Sequence, residues 1–319
     1  MTNASKTVTS DKKPLLAWAR HRLPRRKTLQ AYAFVSPAIL TLLLFTAGPF
    51  LFTLWVSLHN WNMIQPVSQM PSAGLENYRY LLTQDAVFRR ALRNTFVFTI
   101  CGVGINAVLG LLGALLLNTR LRARILWRTI FFLPIVTAPL ALGMMWTSLL
   151  GKNYGLVNNV LRQLALPPQP FLSSPDQALA CIIGIAVYQY VGYYMIIYLA
   201  GLQGIPQEFY DAAAVDGASR WQSFWHITLP LLRPVLLFIV VTNTIGALQV
   251  FDIVFAATTG GASTSGGGPA GSTMVVVLHM YNTAFRFFRM GRATAMALLL
   301  FVIIFVITLV QLRFLRERT

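Results

Sequence analysis

Long apolar runs alternate with short polar stretches along most of this chain, and several runs exceed what a helix in a water-soluble core would need. From Thr28 to Leu75 there is no charged residue, and Ala31 to Leu58 is long enough to cross a hydrocarbon layer of about 30 Å as a tilted helix. Pro37 and Pro49 are the expected kinks of this first span. Repeating the reading along the chain predicts an all-α polytopic membrane protein with six transmembrane helices, at about 31–58, 94–118, 125–150, 178–203, 231–258 and 293–312. Gly110 and Ala114, four residues apart in span two, suit close helix contact. Pro134 and Pro139 in span three free backbone carbonyls that must find partners inside protein or a wet cavity.

The interruptions carry as much information as the runs. Between spans one and two, Leu75, Tyr78, Leu81, Leu82 and Phe88 are spaced for a surface helix. Between spans four and five lies a polar island, residues 205–230, IPQEFYDAAAVDGASRWQSFWHITLP. Pro206 suits a first helical position, with Glu208 and Asp211 in the opening turns where the helix dipole favours negative charge. Ala212, Ala213 and Ala214 continue the helix at low cost, and Asp216 with Gly217 ends it. Ser219 is placed to cap a second helix carrying Trp221, Phe224, Trp225 and Ile227, which Pro230 is expected to stop. Two short helices with large aromatic anchors look like a docking element, and the plainer reading is an ordinary connecting loop that folds back on the protein.

Composition narrows the class. With 56% hydrophobic and 11% charged residues, the chain is not a soluble globular protein, and its net charge of +17 reads as basic loops on one membrane face rather than as a nucleic-acid site. With the N-terminus inside, the inner segments hold seventeen Lys and Arg against nine in the outer ones. The positive-inside rule then predicts a cytoplasmic basic tail at 1–30, both termini in the cytoplasm, and loop 205–230 on the same side. Cys101 and Cys181 both lie in apolar runs, and His21, His59, His226 and His279 show no ligand spacing, so no metal site is expected. The glycines of TTGGASTSGGGPAGS, from Thr258, read as a flexible loop, because no Gly-x-x-x-x-Gly-Lys-Ser/Thr occurs anywhere in the chain.

The order of residues in the polar island resembles the EAA loop of ATP-binding-cassette (ABC) import permeases. The pattern is met by Asp211, Ala212, Ala213, Asp216, Gly217, Ala218, Phe224, Ile227, Leu229 and Pro230, with Asp211 standing where the family usually has glutamate. AYAFVSPAILTLLLFTAGPFLFTLWVSLHNWN, GLENYRYLL, RNTFVFT, QVFDIVFAATTGG and MYNTAFRFFRMGRATAMALLLF are similar to segments of the carbohydrate-uptake permeases, in the maltose-, glycerol-phosphate- or lactose-type subunit that comes first of a pair. The expanded loop Gly260–Gly268 departs from the short Gly-Gly-Pro turn of relatives. The resemblance implies a six-span permease domain at 31–319 whose loop 205–230 is a cytoplasmic helix-turn-helix that couples to an ATPase, with Trp221 among its anchors. It implies as partners a second six-span permease, two cytoplasmic ABC ATPase subunits and an extracytoplasmic solute-binding protein, around a chain embedded in the lipid of a bacterial-type inner membrane. ATP and magnesium would belong to the ATPases, so this chain is expected to hold no cofactor and to be no enzyme.

For the solute path, spans four and five offer Tyr188, Gln189, Tyr190, Tyr193, Asn243, Gln249 and Asp252, hydrogen-bonding and aromatic groups suited to hydroxyl-rich ligands such as a sugar or polyol. An interfacial tyrosine belt is the plainer reading of the tyrosines. Asp252 at the end of a span is costly unless it pairs or faces water. The rival from another class is a secondary transporter or channel acting without an ATPase. It calls for coupling charges at the bilayer midplane, and the spans carry almost none. A membrane-embedded enzyme would need a cluster of His, Glu or Asp that the chain does not offer.

Overall fold

A computed structural model describes residues 25–119, 123–259 and 266–316. Arg120 and Arg122, most of the basic tail, most of the expanded glycine loop and the last three residues lie outside this set, so the expectations placed on them are not described. The chain divides into two compact units, residues 1–53 and 54–319.

In the first unit, α1 (Arg25–Leu42) leads through a π turn at Leu43–Ala47 into the start of α2 (Gly48–Ser57). Of the two expected kink sites, the helix changes at the second. The ring of Pro49 would strike the carbonyl four residues back in a regular helix, and a turn widened to an i→i−5 bond, Gly48 N–H to the Leu43 carbonyl, removes that conflict. Inside α1, Pro37 is tolerated, and its carbonyl accepts a hydrogen bond of 2.8 Å from the Thr41 hydroxyl.

The second unit holds α3 (Glu76–Thr83), α4 (Ala86–Asn118), α5 (Arg124–Val136), α6 (Pro139–Leu149), α7 (Leu156–Gln163), α8 (Ala178–Gln203), α9 (Gln207–Val215), α10 (Arg220–Ser223), α11 (Leu229–Leu248), α12 (Asp252–Thr259), α13 (Val276–Tyr281) and α14 (Met290–Arg316). Among the described residues, five continuous helical stretches are long and apolar enough to cross a membrane, and the bent pair α5–α6 makes a sixth candidate. Where the sequence suggests a single surface helix over 75–88, there are two: α3 buries Leu81, while Leu75 and Leu82 stay exposed. Span two begins eight residues earlier than expected, because the Asp85 carboxylate accepts the Phe88 N–H at 2.8 Å and so caps α4.

α8 is the centre of the unit, packed on α4, α5, α11 and α12. A Cβ on Gly110 would lie 3.3 Å from Tyr194 Cβ, and Ala114 is fully buried, so the small residues of span two do set the approach of α4 to α8. At α5 the contact is closer still: a Cβ on Gly192 would fall 1.7 Å from the Phe131 carbonyl oxygen.

Two expected spans are broken. Span three is not one rod but two helices that meet at 99° between Val136 and Pro139. Pro139 has no N–H to continue the ladder and opens α6 as a first helical residue. The Thr137 carbonyl left at the corner accepts a hydrogen bond of 3.1 Å from Gln189 Nε2. Span five ends at Leu248 rather than near 258. Residues 249–251 leave the helix, and α12 restarts at Asp252 as a separate, buried element. α12 lies against α6, where a Cβ on Gly143 would come within 2.7 Å of Ala256 Cβ.

Candidate functional site

The polar island folds almost entirely on its own local signals. α9 closes with both bonds of a Schellman motif: Ala218 N–H to the Ala213 carbonyl at 2.9 Å and Gly217 N–H to the Ala214 carbonyl at 3.2 Å. Gly217 takes φ +77°, the left-handed region that this motif requires. Pro206 sits just before the helix, at its N-cap, rather than inside it. Ser219 then begins α10 with a capping box, its Oγ accepting the Gln222 N–H while Gln222 Oε1 accepts the Ser219 N–H at 2.8 Å. One longer tie, Tyr210 hydroxyl to Thr228 Oγ1 at 3.0 Å, joins the two arms.

Pro230 does not stop the second helix. α10 runs through a π turn at Phe224–Thr228 into α11, so that one helical rod extends from Arg220 to Leu248. The proline is accommodated as Pro49 is, by an i→i−5 bond just ahead of it, here Leu229 N–H to the Phe224 carbonyl. Trp221, Phe224 and Trp225 form a ring cluster with centroids 5.4 to 6.0 Å apart. Trp221 is 69% exposed, although burying such a ring is the main gain a tryptophan offers. Asp211, Ala212, Asp216 and Gly217 are also exposed, whereas Ala213, Ala218, Ile227, Leu229 and Pro230 are half-buried. A shallow recess lined by Ala213, Asp216, Gly217, Ala218 and Ile227 opens between the arms.

The other end of the rod reaches a cavity of about 420 Å³, within the range of small-molecule sites. Both breaks meet there: Pro139 from the corner of span three, and Gln249, Val250, Phe251 and Asp252 from the end of span five. Irregular backbone at membrane depth is tolerated where it lines such a space. Of the seven predicted path residues, Tyr190, Tyr193, Asn243, Gln249 and Asp252 line this one cavity. The structure does not bring Tyr188 and Gln189 to it. Tyr188 is exposed and stands edge-on to Trp146 at 5.5 Å, and Gln189 is buried with its amide on the Thr137 carbonyl. Asn106, Phe98 and Gly102 of α4 and Thr242 of α11 also line the space. Sequence reasoning passed over these four. A carboxamide at the middle of an uncharged apolar run was the available signal for Asn106, since a polar group there is costly without a task.

Residues 107–318 match the family described as binding-protein-dependent transport system inner membrane component. The chain belongs to that family. The permease is 34% identical to the trehalose/maltose transport system permease protein of Thermococcus litoralis, over 92% of its own length and 95% of the relative's. It is 35% identical to the lactose transport system permease protein of Rhizobium radiobacter, over 94% and 98%. A solved bacterial ABC transporter involved in the import of the acidic polysaccharide alginate shares the fold, with a TM-score of 0.77, 24% identity and coverage of 92% and 96% of the two chains. The permease is thus an all-α membrane component of an ABC transport system, as its EAA-like loop led us to expect.

Proposed function

We propose that this permease carries a sugar or related polyol-like solute across a bacterial-type inner membrane and that loop 205–230 is where an ATPase drives it. The observation that carries this reading is the continuous rod Arg220–Leu248, about 43 Å long at 1.5 Å per residue, with exposed aromatic anchors at one end and the cavity at the other. A push on Trp221 and its neighbours would move the cavity wall as a rigid body. Such movement is the elementary step of alternating access.

In this scheme a second six-span permease supplies the other wall of the path, and two cytoplasmic ATPase subunits each seat one coupling loop. A solute-binding protein delivers cargo on the opposite face, and lipid surrounds the exposed apolar spans. Asp211, Ala212, Ala213, Asp216, Gly217 and Ala218 shape the first arm and turn, while Trp221, Phe224, Ile227, Leu229 and Pro230 form the second. ATP and magnesium stay with the ATPases, and this chain does no covalent chemistry. Both termini lie in the cytoplasm in this scheme, a placing that the excess of Lys and Arg in the inner segments supports. The sugar class rests on what the trehalose/maltose and lactose relatives are named for, and on the tyrosine and carboxamide groups around the cavity.

Mild-detergent purification of the tagged chain from its native membrane, with mass spectrometry of everything that accompanies it, tests the scheme. A second six-span protein and a soluble ATPase should co-purify, and Trp221→Ala should weaken retention of the ATPase. A chain that comes out alone and transports in liposomes without ATP would establish a secondary transporter or channel instead.

A further inference from the structure

We propose that a recess at the head of α14 binds the phosphate of an anionic phospholipid, held by Arg289 and Arg292, with Phe288 against the lipid chains. The recess, of about 280 Å³, lies between the segment that follows α2 and the first turn of α14, and it shares no lining residue with the larger cavity. Its polar wall is Asn60, Asn62 and Gln65 with the two arginines, and no carboxylate lines it. Among the described residues neither arginine is in an ion pair, so no acidic side chain offsets their charge. From Met290 onward α14 is long and apolar enough to cross a membrane, which sets the recess at the membrane boundary.

The groups are positioned by the fold itself. Met290 N–H donates to the Trp61 carbonyl at 2.8 Å and ties the two segments together. Asn62 Oδ1 accepts the N–H groups of Ile64 and Gln65, both at 3.1 Å, which leaves its amide hydrogens to donate to an anion. Arg292 is half-buried, with its guanidinium carbon 3.8 Å above the centroid of the Tyr80 ring, a stacking that fixes the charge without neutralising it. A planar guanidinium so held can donate to two phosphate oxygens at once. On the apolar side, Phe288 takes φ +52°, a left-handed conformation that is costly for a bulky side chain. Its ring is half-exposed, as are those of Phe285 and Phe287. Glycine would make the same turn without strain, so the ring has a use outside the fold. Aromatic rings beside two cations at the membrane boundary match the two ends of a phospholipid, its chains and its phosphate. Free phosphate would leave the rings without a role.

Native mass spectrometry of the protein, purified with the subunits that accompany it and released from nanodiscs of equal phosphatidylglycerol and phosphatidylcholine, tests the site. Thermal unfolding of the same preparations runs alongside. The wild type should retain phosphatidylglycerol in preference to phosphatidylcholine, and excess inorganic phosphate should not displace it. Arg289→Gln and Arg292→Gln should each lower the retained phosphatidylglycerol about tenfold, through loss of a charge-assisted contact. Arg289 is exposed, so Arg289→Gln should unfold at the wild-type temperature. Phe288→Gly should also hold less lipid, yet unfold no earlier than wild type, because it relieves the backbone. Equal retention of phosphatidylglycerol by wild type and Arg289→Gln would overturn the inference, as would early unfolding of Arg289→Gln, which would make the arginine a structural contact. Displacement of the lipid by inorganic phosphate would make the recess a free-anion site instead. Arginine variants that keep their lipid but lose a binding protein's stimulation of ATP hydrolysis would assign the arginines to a protein partner. None of these outcomes bears on the cargo or on the coupling loop.

Discussion

The coupling loop and the opposite end of the bundle are held together in contrasting ways. In the loop, the bonds that shape the turn join residues three to five apart: Ala218 to Ala213, Gly217 to Ala214, Ser219 to Gln222. At the start of α4, the bonds join residues 177 to 194 apart. Arg90 donates to the Ala270 carbonyl at 2.7 Å, Asn94 Nδ2 to the carbonyls of Gly271 and Met274, Val276 N–H to Thr95 Oγ1, and His279 Nε2 meets Asp85 Oδ2 at 3.1 Å. The first region is a self-contained grip with its aromatic side chains left outside. The second is a clasp that fastens the segment before α14 onto α4. A loop proposed to move against another protein benefits from local order, which survives when its surroundings shift. A frame that must stay closed needs long-range bonds.

The largest effect should come from neither region but from the close contact between them. Gly192→Ala would place a Cβ on the Phe131 carbonyl, forcing α5 away from α8 at a cost of about 3 kcal/mol or more. Thermal unfolding in detergent should show a much less stable protein, and an unchanged unfolding temperature would mean that α5 is free to shift.

Gly217→Pro sharpens the contrast on the loop side. Proline cannot adopt φ +77° and lacks the N–H given to Ala214. Uptake should fall by at least about tenfold while the unfolding temperature hardly changes, because the grip is outside the frame. Gly217→Ala should do less, since its Cβ would meet nothing within 4 Å and only the left-handed penalty of about 1–2 kcal/mol applies. Normal uptake with proline at this turn would remove the case for a lever.

On the clasp side, Asn94→Leu removes a buried donor and strands two carbonyls, for a loss of about 2 kcal/mol. Here stability should fall and ATPase retention should not. If ATPase binding fell instead, the two ends would not be separable. The smallest effect is expected from Asp211→Glu, which keeps the carboxylate bonded to Gln207 at 3.1 Å on an exposed face. Uptake should stay within about twofold of wild type, a shift of under half a kcal/mol. Loss of assembly would show that the shorter side chain is specifically fitted.

The same contrast between local and long-range bonds separates the features that are legible in the sequence from those that are not. The coupling loop is legible down to its glycine turn and serine cap, because Schellman and capping-box geometry depends on residues only a few positions apart. Span four is legible as well, because hydrophobic length alone defines it. Pro230 misleads: a proline normally ends a helix, and here a π turn that the sequence does not announce lies just ahead of it and lets the rod pass through. The breaks at 137–138 and 249–251 are legible only as prolines and polar groups out of place. Their angle and the placing of α12 on α6 depend on Gly143 meeting Ala256 and on Gln189 reaching Thr137. Tyr188 and Gln189 fall outside the cavity because they stand about 200° and 100° around α8 from Tyr190, where their side chains meet Trp146 and the Thr137 carbonyl instead.

By itself, then, the sequence determined the membrane class, the coupling loop and the family, all of which follow from apolar length or from short fixed spacings. Tertiary structure alone decided where the two broken spans meet, and with them which five predicted side chains share a cavity with Asn106. That outcome belongs to packing between helices far apart in the chain, where an added methyl group or a single carbonyl's partner selects the arrangement.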